Sequence, residues 1–450
     1  MPPPPPPPPP PAAPSPPPCD DSEEWASFLQ DSCATYAAKR WCHGGRVLNA
    51  SLAGSFYAYP ERACCACGRA TFASSPAERA LSEVVLLATH SVDVTDARIW
   101  RHYGDDLRRS MPSAALWLLL FREVPWASTA LTAWERGRLE QAAYEQRSWQ
   151  KVHRLDVAIW SNLDLARVYP ALRDAVQAGA GGLALEPSEH VRRYYWFHAS
   201  LGLWLHCYGP VMPGVRRLWR VEPDVVLVAP APLSPLLLAG ASSDADVLLP
   251  HTTDQATTDQ GHFSSYPHFG RMAALLAPFP PERRVWALVS IGRYSTTYLR
   301  RLARDYWAKG VLGYEEVTLP TLCLNDVGNC TVRELSRGRD GINVDTHHVT
   351  WKPNGFEWKC EQFVDTVRKG TKDPELWHPL KQRECYLEFL DAATEGRVDQ
   401  LKAWEGPKHC AGWCHWSIDD NCVLEAKKSH CVDCDRCVEL ATQSKSPVRE

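Results

Sequence analysis

Val84-Val85-Leu86-Leu87-Ala88-Thr89 is a run of six residues without one charged side chain. A continuous apolar run of this length suits a strand buried on both faces. Residues 96 to 109 follow with helical character, and Ala114 to Phe121 is a second buried run. Leu155 to Trp160 is a third. Val191 to Cys207 is long and rich in aromatics, with apolar spacing that suits a helix packed on a sheet. Leu218 to Val221, Asp246 to Leu249 and Val285 to Ile291 read as further short strands. Tyr298, Leu299, Leu302, Ala303, Tyr306 and Trp307 recur at helical spacing. Strands alternating with helices imply an α/β fold, a mainly parallel sheet with helices on both faces.

The flanks differ in kind. Residues 1 to 18 are nearly all proline, a polyproline II spacer that cannot join a core. Residues 19 to 69 carry Cys19, Cys33, Cys42, Cys64, Cys65 and Cys67. A unit of that size buries too little apolar surface to stand alone, so cross-links must supply stability. Residues 325 to 405 are polar and mixed, with a loop expected from Arg337 to Gly341. We read 386 to 409 as a linker, 410 to 437 as a second cysteine-dense module and 438 to 450 as a polar tail.

Bulk properties narrow the function classes. The chain has 450 residues, 45% apolar and 23% charged, an ordinary globular balance. Its net charge of -4 gives no electrostatic reason to expect a nucleic-acid polymer as partner. No apolar run approaches the roughly 20 residues that span a bilayer. Of 17 cysteines, twelve sit in the two terminal clusters, and even-numbered clusters read as disulfide frameworks of an oxidising compartment. The triplets Asn49-Ala50-Ser51 and Asn329-Cys330-Thr331 are glycosylation sequons and agree with that. The opening Met1-Pro2 shows neither the charged nor the apolar part of a signal peptide. An anchor lost upstream is therefore expected, and contact with a membrane is expected only through it. The competing reading is a cytosolic protein whose cysteines hold zinc.

The chemistry centres on Leu218-Trp219-Arg220-Val221-Glu222-Pro223-Asp224-Val225-Val226-Leu227. An apolar strand ends in two carboxylates at i and i+2, which project to one side of an extended chain. Pro223 cannot donate to a ladder, so the pair belongs at a strand end or edge. Open α/β sheets bind ligands at strand ends. Two converging carboxylates there can hold Mn²⁺ or Mg²⁺ with positions left for diphosphate oxygens. An acidic-x-acidic triplet is also a common solvated turn between strand and loop.

Four segments in order resemble glycosyltransferases of the GT-A type found across microbial eukaryotes. Val84 to His90 is similar to their first nucleotide-binding strand. Trp219 to Asp224 is similar to a Trp-Arg-x-Glu-x-Asp segment that stands in for Asp-x-Asp, with Glu222 departing from the usual leading aspartate. Gly313 to Cys323 resembles the acceptor-side segment, where a glutamate precedes a Leu-Pro-Thr turn. Trp377-His378-Pro379-Leu380-Lys381 resembles the closing His-Pro-x-Lys element.

The resemblance covers residues 81 to 385 and implies a GT-A-like, Rossmann-like domain. It implies that Glu222 and Asp224 bind the metal, with His378 a third ligand or a diphosphate contact. Thr89, His90 and Lys381 would contact the nucleotide-sugar donor. Glu315 or Glu316 would be the general base if configuration inverts, and a retaining enzyme would need none. The acceptor would be a glycan or glycoprotein, and the site of action the Golgi lumen, the wider secretory pathway or the exterior.

The stretch from His251 to His268 reads either as a loop that touches the acceptor or as a surface loop with incidental histidines, since their spacing is not that of zinc. The N-terminal cysteine unit resembles a small extracellular module recurrent in algal and protist proteins. Cys410, Cys414, Cys422, Cys431, Cys434 and Cys437 look like a second, ShK-like module, although Cys-x-x-Cys-x-x-Cys also suits zinc. Of the middle cysteines, Cys323 with Cys330 and Cys360 with Cys385 are the expected pairs. That leaves Cys207 as a buried, inert thiol. The alternative function is a non-catalytic secreted or cell-surface protein, a degenerate transferase fold with carbohydrate- or protein-binding cysteine modules. A hydrolase with two acids flanking a sugar finds no better acid pair here.

Overall fold

The computed structural model describes residues 31–48, 60–68, 81–89, 97–111, 113–122, 155–177, 198–222, 225–228, 243–250, 252–254, 284–287, 289–311, 313, 315–325, 330–335, 363–364, 375–377 and 383–397. The chain divides into two units, Met1–Ser75 and Pro76–Glu450.

The first unit is held by cross-links. A helix Cys33–Ala38 is capped by Ser32, whose hydroxyl accepts from the Thr35 N–H. Cys33–Cys64 and Cys42–Cys67 are disulfides, and Cys65 is disulfide-bonded as well. Tyr36 is fully buried and meets Trp41 edge to face.

The second unit is built on a seven-stranded sheet: β1 (Glu83–Thr89), β2 (Ala114–Arg122), β3 (Leu155–Ser161), β4 (Arg217–Val221), β5 (Val247–Leu249), β6 (Ile291–Ser295) and β7 (Val332–Glu334). The order is β3-β2-β1-β4-β6-β5-β7. Every neighbouring pair is parallel except those of β6, which runs antiparallel to both β4 and β5. Val84 to Ala88 are all buried, as a strand covered on both faces requires.

The helices are α1 (Ala97–Ser110), α2 (Asn162–Val168), α3 (Pro170–Gln177), α4 (Ala199–Tyr208), α5 (Thr296–Asp305), α6 (Glu315–Asn325) and α7 (Arg383–Thr394). The crossover from β1 to β2 carries α1, and the crossover from β3 to β4 carries α4 and runs in the opposite direction along the sheet. Right-handed crossovers in opposite directions put their helices on opposite faces. On the α4 face, Trp117 of β2 meets Trp204 and Tyr208 at ring centroids of 5.5 and 4.5 Å. On the other, Tyr103 of α1 bonds Tyr386 of α7 hydroxyl to hydroxyl at 3.0 Å. The mainly parallel α/β sheet read from the sequence is the architecture found.

Three expectations need correction. Residues 386 to 409 were expected to form a linker, but their first part lies in α7. Tyr386, Leu387, Phe389, Leu390 and Ala392 of that helix are buried, because its apolar residues recur at helical spacing. Val285 to Ile291 is not one strand. Val285–Ala287 pairs with Thr252–Asp254, whereas β6 starts at Ile291 in the main sheet. The expected Leu-Pro-Thr turn is helix, with Pro320 inside α6. Thr321 anchors that segment: its hydroxyl accepts from the Val285 N–H at 2.9 Å and donates to the Val285 carbonyl at 3.0 Å.

Candidate functional site

At the C-terminal ends of the parallel strands, β1 finishes at Thr89 and β4 runs into Glu222. Leu87 and Val221 are paired residues of these adjacent strands, so Thr89 and Glu222 share one edge of the sheet. The Glu222 N–H donates to the Ser290 carbonyl at 2.8 Å, extending the β4–β6 pairing by one residue. The Val225 N–H donates to the Glu222 carbonyl at 3.2 Å. Behind it, the Tyr103 hydroxyl donates to the Val225 carbonyl at 3.4 Å.

Arg220 organises the acids. Alternation along β4 puts it on the same face as Glu222, and its guanidinium is buried. Nη1 donates to Glu315 Oε2 at 2.5 Å, and Nη2 donates to Glu315 Oε1 at 3.1 Å. The same Nη2 donates to Glu222 Oε1 at 2.8 Å. Glu315, the first residue of α6, is wholly buried, whereas the Glu222 side chain keeps 20% exposure. Glu316, next on α6, is half-buried.

The environment sets the charges. Burial works against a charged Arg220, but Glu315 and Glu222 more than reverse this and hold its proton more firmly than usual. Burial pushes the Glu315 carboxyl up to about 7, with Arg220 pulling it back and Glu222 pushing it further up. A guanidinium forked onto a carboxylate stays cationic.

Tyr294 of β6 completes the surroundings. It is fully buried, and its hydroxyl finds no hydrogen-bond partner among the described residues. That hydroxyl stands 2.6 Å from where a Cβ on Gly292 would be, and Gly292 is the β6 residue opposite Arg220. Only glycine leaves room for the tyrosine tip beside the ion pair.

The expected site residues thus divide. Glu222 and Glu315 are brought together through Arg220, and Thr89 ends the neighbouring strand. His90, Asp224, His378 and Lys381 lie outside the described residues, as do Cys360, the 255 to 268 part of the histidine stretch and the C-terminal cysteine module. Their nearest described neighbours are informative. Trp377, directly before His378, pairs with Val226, two residues after Asp224, in an antiparallel ladder of Glu375–Trp377 with Val226–Val228. Among the described residues no group of three or more His, Cys, Asp or Glu side chains forms a metal site. Cys323–Cys330 is a disulfide and Cys207 is a buried free thiol, both as expected, and burial pushes that thiol far above its usual range. Sequence reading passed over Arg220, although its two-residue offset from Glu222 already placed both on one side of the strand.

No family model and no curated protein matches the chain. Among solved structures, mouse xyloside xylosyltransferase 1 in its apo form aligns at a TM-score of 0.27 and 10% identity, over 57% of this chain and 85% of that one. The mannosyltransferase Ktr4p from S. cerevisiae, in complex with GDP, aligns at 0.25 and 10% identity, over 52% of this chain and 61% of that one. Scores this low carry no argument about activity. No helix among the described residues is long and apolar enough to cross a membrane. The disulfides are those of a protein that matures in an oxidising compartment.

Proposed function

We propose that this protein is a glycosyltransferase that moves a sugar from a nucleotide-sugar donor to a glycan or glycoprotein acceptor, with Mn²⁺ or Mg²⁺, in the secretory pathway. The observation that carries the reading is the meeting of Glu222 and Glu315 on Arg220 at the C-terminal edge of a mainly parallel sheet. That edge is where such sheets bind nucleotides.

Glu222 suits a hard divalent cation. It is a carboxylate at the sheet edge, partly exposed, with one oxygen fixed by a buried guanidinium. Asp224 and His378 complete the proposed ligand set. The ladder between Val226–Val228 and Glu375–Trp377 supports this, because it ties together the chain segments that flank both residues. Held by these groups, the metal would neutralise charge on the departing nucleoside diphosphate. Thr89, His90 and Lys381 are proposed to contact the donor. Of the two adjacent acids, Glu315 has both oxygens on Arg220. Either acid is proposed as the base of an inverting reaction: Glu316 is half-buried, and Glu315 could serve only if Arg220 released it.

The test is donor hydrolysis or sugar transfer by oxidised, folded protein against a panel of nucleotide sugars, with Mn²⁺ or with chelator. The expected result is metal-dependent turnover that is lost in Asp224→Asn. Absence of both turnover and nucleotide binding would turn the protein into a carbohydrate- or protein-binding module on a transferase-like frame.

A further inference from the structure

We infer that Arg220 and Glu315 are positioning residues that fix the orientation and preserve the charge of Glu222 for the cation; this rests on the metal site proposed above. A buried ion pair is weak evidence of a stabilising role, since apolar residues of similar volume often replace one without loss. Another use must be sought in the geometry, and the geometry is specific. The guanidinium of Arg220 spends both terminal nitrogens on Glu315, at 2.5 and 3.1 Å, and one of them also on Glu222, at 2.8 Å.

Two consequences follow. A long side chain pinned at two points on one carboxylate has little freedom left, so its contact with the other carboxylate holds Glu222 in one rotamer. The charges matter as well. Arg220 with Glu222 alone would be neutral and would offer a cation little. Ionised Glu315 cancels the arginine, leaving one net negative charge on the group, with Glu222 its part-exposed member. Outer groups that orient metal ligands cost on the order of 10 to 100-fold in metal affinity when altered.

The experiment is Mn²⁺ binding to full-length oxidised protein, followed by electron paramagnetic resonance at mildly alkaline pH without nucleotide. Wild type is compared with Arg220→Lys and Glu315→Gln, and near-ultraviolet circular dichroism reports folding. Lysine keeps the charge and loses the fork; glutamine keeps the shape and loses the charge. The expected outcome is folded variants with Mn²⁺ affinity at least about tenfold weaker in each. Folded variants that bind Mn²⁺ as wild type does would overturn the inference and leave the metal site standing. Failure of both variants to fold would make the pair structural and overturn it too. Wild type that binds no Mn²⁺ would sink the metal site itself, a different result from either.

Discussion

Gly202 lies in the middle of α4, and nothing in a helix asks for glycine there. Replacing it by alanine should help by about 0.5 to 1 kcal/mol, through the smaller conformational entropy lost on folding. The structure predicts the opposite sign. A Cβ on Gly202 would stand 2.3 Å from Trp307 Cζ3, 2.6 Å from its Cε3 and 2.9 Å from the Tyr169 hydroxyl. Carbon atoms rest at about 3.5 to 4.0 Å, so the indole must retreat by roughly 1 Å or more. It has little room, being 1% exposed with the Tyr169 and His198 rings at 6.0 and 5.8 Å. Overpacking of this kind costs about 1 to 3 kcal/mol, so against that gain Gly202→Ala should destabilise by a net of up to ~2.5 kcal/mol. Urea unfolding of the oxidised protein reads this as a lower midpoint at unchanged slope. The decisive control is the same change in a Trp307→Leu background. With the indole gone the two shortest contacts vanish, so the cost of alanine should fall clearly below its value beside Trp307. A stabilising effect with Trp307 present would refute the packing of α4 against this ring.

Three further outcomes are expected. Glu315→Ala should destabilise by about 3 to 5 kcal/mol because it removes the carboxylate that both terminal nitrogens of buried Arg220 bond, while Arg220→Met with Glu315→Leu should stay within about 1 kcal/mol of wild type, both by chemical denaturation. Removing Cys323–Cys330 by paired serines should cost about 2.5 kcal/mol on the loop-entropy relation, given its sequence separation of 7, and calorimetry would read the loss. Burial lowers the His102 pKa, Asp106 opposing and Arg109 adding to the effect. The unfolded chain then binds the proton first as pH falls below about 6.5, so stability should drop across that window and less so in His102→Asn.

Much of the frame was written in local pattern. Uninterrupted apolar runs named β1, β2 and β3, since a strand buried on both faces leaves no place for a charge. The period of Tyr298, Leu299 and Leu302 named α5, and all three are buried. The end of β4 was legible for the same reason: two acids and a proline cannot continue a buried strand. Where pattern failed, a partner far along the chain decided. Pro320 reads as a break, yet the helix continues because Thr321 is bonded to Val285. The polar look of residues after 385 hid α7, whose aromatic face only makes sense against α1, as Tyr386 on Tyr103 shows.

The site divides in the same way. The sequence alone singled out the residues proposed to carry chemistry, the Glu222 and Asp224 pair and the adjacent Glu315 and Glu316, and set apart Cys207 as a buried thiol. It also determined that Arg220 and Glu222 lie on one side of β4, because an extended chain alternates. Only the tertiary structure decided that Glu315, 95 residues on, closes over Arg220 while Glu316 beside it stays half-buried. Helix neighbours differ in direction by about 100°, so one of two identical acids enters the core and the other does not. Which one enters depends on how α6 docks against the sheet, and docking is set by contacts between residues that the chain order keeps far apart.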